Sequence, residues 1–341
     1  MSASLRPVRG SAGEILALLR EWDQADAPEP LVIETSGSTG HPKRVVLSRD
    51  AMRASAAATH ERLGGPGQWV LNLPPTYVAG LQVLYRCVVA GVEPVVLDQT
   101  LALTREQVTG RSYVSLVPTQ LVRILHDDDG PDSAADLATF DAVLIGGGPL
   151  DPHVRTEAEQ QGIRIVQTYG MSETCGGCVY DGLPLAGAEV RIEAGLVLLR
   201  GPMLFDGYEG DPARTASALR DGWFVTHDHG RWEDDHLRID GRADDVIISG
   251  GVKVPAPAVA AAVARLRSVV AVEVVGVPDA EWGERVVAVV AARDPISLAA
   301  VRDEVEPRSW APRQLVVVES LPLLANGKVD RLAVQELAAR G

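Results

Sequence analysis

The segment Thr35-Ser36-Gly37-Ser38-Thr39-Gly40-His41-Pro42-Lys43 decides how we interpret the chain. It places hydroxyl side chains, two glycines and a lysine in one short stretch. Glycine has no Cβ and accepts positive φ, so backbone N–H groups of such a loop can approach a phosphate closely. The apolar run 31–33 before it predicts a strand, and residues 45–58 after it predict a helix with Ser48 as its N-cap. We therefore expect a strand, a phosphate-binding loop and a helix in succession.

Lysine is rare in this sequence. The chain has 32 basic residues, of which only Lys43, Lys253 and Lys328 are lysines. Each of the three lies in a segment that contains glycine. A compact, flexible ammonium is not interchangeable with the planar guanidinium of arginine. We therefore take the three lysines as candidate functional residues, with chance survival in an arginine-biased composition as the alternative.

Length and charge bound the class of protein. A chain of 341 residues with 46% hydrophobic residues predicts two domains with full cores. The net charge is −14 and no basic block occurs, so we expect no nucleic-acid partner. No apolar run approaches the roughly 20 residues of a membrane span, so we expect none. The N-terminus also lacks the order of a signal peptide. The sequence leaves the oligomeric state open, with a dimer as one alternative.

Two short patterns could indicate metal or redox chemistry. Cys175 and Cys178 have the C-x-x-C spacing, but no second pair accompanies them, so small residues in a tight turn are the favoured interpretation. The third cysteine is Cys87, and the odd count favours a reducing compartment, the cytoplasm. His227-Asp228-His229 could form part of a metal cluster. In a strand, however, the two histidines would lie on one face and Asp228 on the other.

The order of predicted elements indicates an α/β fold. Strands alternate with helices up to about residue 175, which favours a largely parallel sheet. Short alternating strands follow from about residue 180 and predict an antiparallel β subdomain. We expect a large N-terminal domain of parallel-type sheets with helices plus this small β subdomain over residues 1–242. A small, mobile α+β C-terminal domain is expected over residues 243–341.

Three predicted strands end in polar or glycine-rich loops, at residues 35–43, 146–149 and 168–174. Ligands of open α/β sheets bind at the carboxyl ends of strands, so we expect these loops to form one site. Glu173 in the third loop would repel a phosphate held by the first unless Mg²⁺ lay between them. The combination therefore predicts ATP with Mg²⁺ as the ligand.

Five segments resemble motifs of the adenylate-forming superfamily, which includes acyl-CoA synthetases, luciferases and adenylation domains. They follow one another in the superfamily's order, at residues 35–43, 168–174, 222–228, 241–253 and 326–330. The resemblance implies that an acid attacks the α-phosphate of ATP, and that the resulting acyl-adenylate is transferred to a thiol. It also implies that the small domain rotates between these half-reactions about a hinge at Asp244.

The resemblance implies a role for each matching residue. Lys328 would be the catalytic lysine of adenylation and Glu173 the Mg²⁺ ligand. Gly250, Gly251 and Lys253 would face coenzyme A during the second step. The remaining ATP-binding residues, some of them expected from the loops alone, are Thr35, Ser36, Gly37, Ser38, Thr39, Gly40, Lys43, Gly146, Gly147, Gly148, Thr168, Tyr169, Gly170, Met171, Ser172, Asp228 and Arg242.

Residues 73–84 and 115–121 narrow the resemblance to the o-succinylbenzoate–CoA ligase family of menaquinone biosynthesis, in a short actinobacterial-like form. The expected substrates are therefore this small carboxylic acid, ATP and coenzyme A. Two alternatives stay open: a ligase for another acid, and a stand-alone adenylation enzyme that loads a carrier protein.

An aromatic dicarboxylate would need a pocket with a polar or cationic anchor. Arg86 and Arg123 are candidate anchors, although a surface position is the favoured interpretation of both. The candidate acyl-pocket residues are Tyr77, Ser115, Thr119 and Gln120.

Overall fold

The computed structural model describes residues 6–35, 43–97, 108–126, 134–324 and 329–340. Its helices are α1 (Ala12–Gln24), α2 (Arg49–Arg62), α3 (Val78–Ala90), α4 (Pro118–His126), α5 (Ala134–Leu137), α6 (Pro152–Gln160), α7 (Pro212–Ala218), α8 (Ala256–Val263), α9 (Leu298–Asp303) and α10 (Arg331–Arg340). No helix within these ranges is both long and apolar enough to cross a bilayer.

The strands form four sheets. They are β1 (Arg6–Pro7), β2 (Leu31–Thr35), β3 (Lys43–Leu47), β4 (Gln68–Leu71), β5 (Val95–Val96), β6 (Ser112–Leu116), β7 (Ala142–Ile145), β8 (Ile165–Met171), β9 (Gly176–Tyr180), β10 (Leu183–Pro184), β11 (Glu189–Glu193), β12 (Leu196–Arg200), β13 (Gly207–Tyr208), β14 (Leu219–Arg220), β15 (Trp223–Glu233), β16 (His236–Arg242), β17 (Val246–Ser249), β18 (Val252–Pro255), β19 (Val269–Asp279), β20 (Gly283–Ala292) and β21 (Gln314–Val318).

The chain divides into two compact units. The first comprises Met1–Arg191, Leu198–Val225 and Trp232–Leu237, and the second Ile192–Val197, Thr226–Arg231 and Arg238–Gly341. The large N-terminal and small C-terminal parts predicted from the sequence are therefore present. The limits 1–242 and 243–341 stay a prediction.

The main sheet of the first unit has seven strands in the order β10-β9-β8-β7-β6-β4-β5. Strands β4 to β8 run parallel to one another, whereas β9 is antiparallel to both of its neighbours, β8 and β10. The parallel strands β6 and β7 are buried throughout, as in sheets that are covered on both faces. Leu121 and Leu125 of α4 share one core with Val114 and Leu116 of β6. The parallel sheet predicted from the sequence is thus confirmed.

A second sheet of this unit has the order β1-β2-β3-β13. Strands β2 and β3 are antiparallel, with Thr35 opposite Lys43. The prediction that residues 45–58 form one helix is wrong at its start, because Val45 and Leu47 are buried strand residues of β3. Branched valines favour a strand in this position. Helix α2 begins at Arg49, and the predicted N-cap is confirmed because Ser48 Oγ accepts a hydrogen bond from Ala51 N (3.4 Å).

The predicted antiparallel β subdomain is the third sheet, with the order β11-β12-β15-β14 and β16 alongside β15. Its strands contribute residues to both units. Burial alternates along β15, where Thr226 and Asp228 are buried and His227 is exposed. The predicted opposition of His227 and Asp228 across the strand is therefore confirmed.

The second unit contains the fourth sheet, in the order β18-β17-β20-β19 with β21 alongside β20. One face packs on α8 and α9 through residues such as Val259 and Val301, and the other packs on α10 through Val334. Strands β17 and β18 are joined by Gly250 and Gly251, whose φ angles are +58° and +79°. A two-residue hairpin turn with positive φ at both positions favours glycine.

Candidate active site

A buried carboxylate and a lysine meet in the first unit. Glu173 lies in the single 3-10 turn Ser172–Thr174 that follows β8, and Lys43 begins β3 of the other sheet. The Lys43 Nζ atom lies 3.8 Å from Glu173 Oε1, and both side chains are largely shielded from solvent. The structure therefore brings together the two groups that the sequence assigned to phosphate and Mg²⁺.

Tyr208 completes this cluster. Its hydroxyl donates a hydrogen bond of 2.8 Å to Glu173 Oε1, and Lys43 Nζ lies 5.5 Å from the centroid of its ring. Strand β13 places it there by pairing with β3, with Tyr208 opposite Val45. Burial, followed by the neighbouring carboxylate, raises the pKa of Tyr208, so its hydroxyl stays protonated as a donor. No local sequence pattern marks Tyr208 as a site residue, because its partner Glu173 lies 35 residues away.

The turn that carries Glu173 is closed by Thr174. Thr174 Oγ1 accepts from Met171 N (2.9 Å) and donates to Gly176 O (2.6 Å). The sequence places the end of the preceding strand at residue 167, which is wrong: β8 continues through Met171, so Thr168 to Met171 are strand residues. A Cβ on Gly170 would lie 2.1 Å from Gly176 O. Close pairing with β9 therefore accounts for this glycine.

The glycine-rich loop after β7 lies beside β8. Gly146 N donates to Leu116 O (3.1 Å), and a Cβ on Gly146 would lie 2.5 Å from Thr168 Oγ1. Gly147 has a φ of +83°, which other residues rarely adopt. The second and third predicted loops are thus neighbours, as expected. The predicted roles of Gly146, Gly147, Gly148, Tyr169 and Ser172 toward ATP stay predictions.

The candidate acyl-pocket residues lie where β4 and β6 end. The parallel strands are ordered β7-β6-β4-β5, so the chain reverses its direction across the sheet between β4 and β6. Such switch points form ligand crevices in α/β sheets. Tyr77 is the N-cap of α3, Ser115 is buried in β6, and Thr119 is exposed in α4. Gln120 bridges the two strand ends by accepting from Val117 N (3.0 Å) and donating to Asn72 O (3.2 Å). Gln120 therefore ties the two strand ends together, and the acyl-pocket roles predicted for these four residues stay predictions.

The surface interpretation of Arg86 is wrong. Arg86 is 4% exposed, and its guanidinium carbon lies 4.6 Å from the centroid of the Trp69 ring. Arg86 also donates to the Tyr180 hydroxyl (3.3 Å). A planar cation can stack on an aromatic face, which the charge alone does not signal. Arg123, in contrast, is exposed as expected.

In the second unit, Asp228 and Arg242 form an ion pair. The Arg242 Nη1 atom lies 3.8 Å from Asp228 Oδ1, and Asp228 is 8% exposed. Asp228 N donates to Thr226 Oγ1 (3.0 Å), which in turn donates to Val197 O (2.8 Å). The structure thus places these two predicted ATP-binding residues together, and Thr226 is an additional residue that fixes the backbone of Asp228.

The remaining predicted residues fall into two groups. Lys253 is exposed on β18, next to the Gly250-Gly251 turn, and Asp244 lies in the single 3-10 turn Ala243–Asp245. The other predicted residues lie outside the described residues: Lys328 and the loop residues Ser36, Gly37, Ser38, Thr39 and Gly40. Their roles stay predictions.

The cysteines show no sign of reactivity. Cys87, Cys175 and Cys178 are free and buried. Burial raises the pKa of Cys178 to about 12 and that of Cys87 to about 11, which disfavours the nucleophilic thiolate. Within the described ranges, no group of three or more His, Cys, Asp or Glu side chains is arranged to hold a metal.

Comparison with known families agrees with this arrangement. Residues 24–209 match the AMP-binding enzyme family, and residues 258–328 match the AMP-binding enzyme C-terminal domain. The chain belongs to the AMP-binding enzyme family. The match covers Lys43, Glu173 and Tyr208, which form the cluster in the first unit.

Relatives of this AMP-binding enzyme have named activities. It is 42% identical over 338 residues to the "Probable 2-succinylbenzoate--CoA ligase" of Mycobacterium tuberculosis. The aligned region covers 94% of this chain and 87% of the relative. A solved o-succinylbenzoate CoA synthetase (MenE) from Bacillus subtilis, in complex with the acyl-adenylate intermediate OSB-AMP, is similar with a TM-score of 0.77 and 26% identity, over 89% of this chain and 68% of that one. The same synthetase in complex with ATP and magnesium ion has a TM-score of 0.74 and 26% identity, over 89% and 69%.

The donor set of this AMP-binding enzyme fits Mg²⁺. In nucleotide sites Mg²⁺ is usually held by one or two carboxylates, water and the substrate's phosphates. Glu173 supplies one buried carboxylate, and the Tyr208 hydroxyl fixes its Oε1 atom. The Lys43 Nζ atom places a positive charge 3.8 Å from this carboxylate, and its predicted role toward phosphate stays a prediction.

Proposed function

We propose that this enzyme is an ATP-dependent 2-succinylbenzoate–CoA ligase of menaquinone biosynthesis. It adenylates the acid and transfers the acyl group to coenzyme A, releasing pyrophosphate and then AMP. The observation that carries the proposal is the largely shielded Lys43–Glu173–Tyr208 cluster in a chain 42% identical to a probable ligase of this name. The three free cysteines fit a cytoplasmic enzyme, which we also propose.

In the first half-reaction, a carboxylate oxygen of the acid attacks the α-phosphorus, and the bond to pyrophosphate breaks. Two anions must approach each other, so the enzyme's main task is to neutralise and position charge. Lys43 and the hydroxyls of residues 35–39 hold the β- and γ-phosphates in this proposal, and Lys328 contacts the reacting carboxylate and the α-phosphate. Glu173 would hold Mg²⁺, which neutralises phosphate charge when bound.

Other residues orient the nucleotide. Asp228 accepts hydrogen bonds from the ribose hydroxyls, and Arg242, whose Nη1 atom lies 3.8 Å from Asp228 Oδ1, supports that carboxylate. Tyr169 stacks on adenine. In the second half-reaction the thiolate of coenzyme A attacks the acyl carbon, and AMP leaves. The surface of the Gly250-Gly251 turn and Lys253 faces coenzyme A in this step.

A substrate panel tests the proposal. Pyrophosphate release is measured with 2-succinylbenzoate and with other aryl and aliphatic acids, and acyl transfer is then measured with coenzyme A or a carrier protein as acceptor. We expect 2-succinylbenzoate with coenzyme A to give the highest kcat/KM. Pyrophosphate release with another acid but not with 2-succinylbenzoate would overturn the substrate assignment. Acyl transfer to a carrier protein but not to coenzyme A would overturn the assignment of the acceptor.

A further inference from the structure

A buried hydrogen-bonded anchor lies behind the turn that carries Ser172 and Glu173. The carbonyl oxygen of Cys175 accepts hydrogen bonds from Ser55 Oγ (2.9 Å) and from Gln82 Nε2 (2.8 Å). Cys175 has a φ of +49°, the left-handed conformation that is uncommon for a residue with a Cβ. This residue therefore ends the turn in an unfavourable backbone conformation that two side chains hold in place.

The donors come from two different helices. Ser55 lies on α2 and is 2% exposed, and Gln82 lies on α3 and is 1% exposed. The Gln82 Oε1 atom is buried without a hydrogen-bond partner among the described residues. An unpaired buried oxygen is unfavourable, and an apolar side chain in the same place would avoid it. The hydrogen bond from Gln82 Nε2 to the Cys175 carbonyl therefore explains why a polar amide occupies this buried position.

We infer that Ser55 and Gln82 are positioning residues for Glu173 and Ser172 in the ATP site, an inference that rests on the proposed function. Backbone strain at functional sites persists only where surrounding contacts fix it. Thr174 closes the turn from within, and the Ser55 and Gln82 donors fix its far end from the helices. Without them Cys175 can relax toward negative φ, which displaces the Glu173 backbone that precedes it by two residues.

The test uses Ser55→Ala and Gln82→Leu, with Thr59→Val as the matched control. Thr59 lies one helical turn after Ser55 on α2, is fully buried, and bonds to the Tyr180 hydroxyl (3.0 Å) instead of the turn. Hydrogen exchange of two amides reports the turn directly. Cys175 N donates to Ser172 O (3.1 Å), and Phe205 N donates to Glu173 O (2.9 Å).

We expect both variants to speed exchange of the Cys175 and Phe205 amides about 10-fold, and to raise the Mg²⁺ concentration that gives half-maximal pyrophosphate release by about 10- to 100-fold. Thr59→Val should leave both readouts within about twofold of the wild type. Wild-type exchange rates at these amides in Ser55→Ala would overturn the inference, even if Gln82→Leu failed to fold. Changes in exchange and Mg²⁺ requirement in Thr59→Val as large as those in Ser55→Ala would also overturn it. If the wild type releases no pyrophosphate with any acid, the proposed function fails, while the exchange rates still decide whether Ser55 and Gln82 hold the turn.

Discussion

Replacing Tyr208 by Phe should raise the Mg²⁺ concentration that adenylation requires. The substitution keeps the ring, which lies 5.5 Å below Lys43 Nζ and 5.0 Å from the Phe205 ring, and removes only the hydroxyl. That hydroxyl donates the 2.8 Å hydrogen bond that holds Glu173 Oε1. The carboxylate then keeps its ion pair with Lys43 and gains rotational freedom at the site where we place Mg²⁺.

The size of the effect follows from the bond that is lost. A buried hydrogen bond to a charged group contributes about 1.5–3 kcal/mol. Loss of a residue that orients a metal ligand typically costs about 10- to 100-fold in metal affinity or activity. Since a tenfold change corresponds to about 1.4 kcal/mol, the two ranges agree. We therefore expect the apparent Mg²⁺ requirement of Tyr208→Phe to rise by about 10- to 100-fold.

The assay is initial pyrophosphate release at saturating ATP and acid, titrated with Mg²⁺, together with the thermal unfolding midpoint of each variant. Tyr113→Phe is the control, because its hydroxyl bonds to backbone carbonyls, Leu63 O (3.1 Å) and Gly65 O (2.8 Å). Tyr113→Phe should be less stable than the wild type and show its Mg²⁺ dependence. A wild-type Mg²⁺ titration for Tyr208→Phe, or an equal shift for Tyr113→Phe, would refute the reasoning.

Two further predictions concern chemistry and pH. Lys328→Ala should lower the rate of adenylation by at least about 100-fold, yet leave transfer from supplied acyl-adenylate to coenzyme A near the wild-type rate; equal loss of both steps in rapid-quench assays would contradict the assigned role. Burial, then Arg86, lowers the pKa of His60 from 6.5 to about 4, so the unfolded chain binds the proton more tightly and stability falls as pH drops from 6.5 toward 4. Between pH 7.5 and 5 the wild type should lose about 2 kcal/mol more than His60→Gln in urea unfolding, and equal losses would show that His60 does not titrate in this way.

Much of the fold follows from local pattern. The alternating strands and helices predict a largely parallel sheet, which β4 to β8 form, and Ser48 caps α2 as predicted. The proximity of Lys43 and Glu173 follows from ligand chemistry and not from their spacing in the sequence. A phosphate-binding loop and a Mg²⁺-binding carboxylate that serve the same nucleotide must lie close together.

The errors have a common physical origin in long-range pairing. Residues 45–47 closely precede α2, so the local pattern predicts that they belong to this helix, but pairing with β2 and β13 makes them a strand. Tyr208 and Gln82 show no local signal, because each is defined by a partner far away in sequence. Arg86 was assigned to the surface from its charge, whereas stacking on Trp69 compensates for its burial.

The acyl-adenylate is the most direct test of the proposed chemistry. The enzyme is incubated with 2-succinylbenzoate and ATP·Mg²⁺ without coenzyme A, and the quenched mixture is analysed by mass spectrometry. The account predicts enzyme-bound 2-succinylbenzoyl-AMP with an equal amount of pyrophosphate, and its conversion to the thioester and AMP when coenzyme A is added. Formation of ADP and phosphate, or of thioester without any acyl-adenylate, would contradict it.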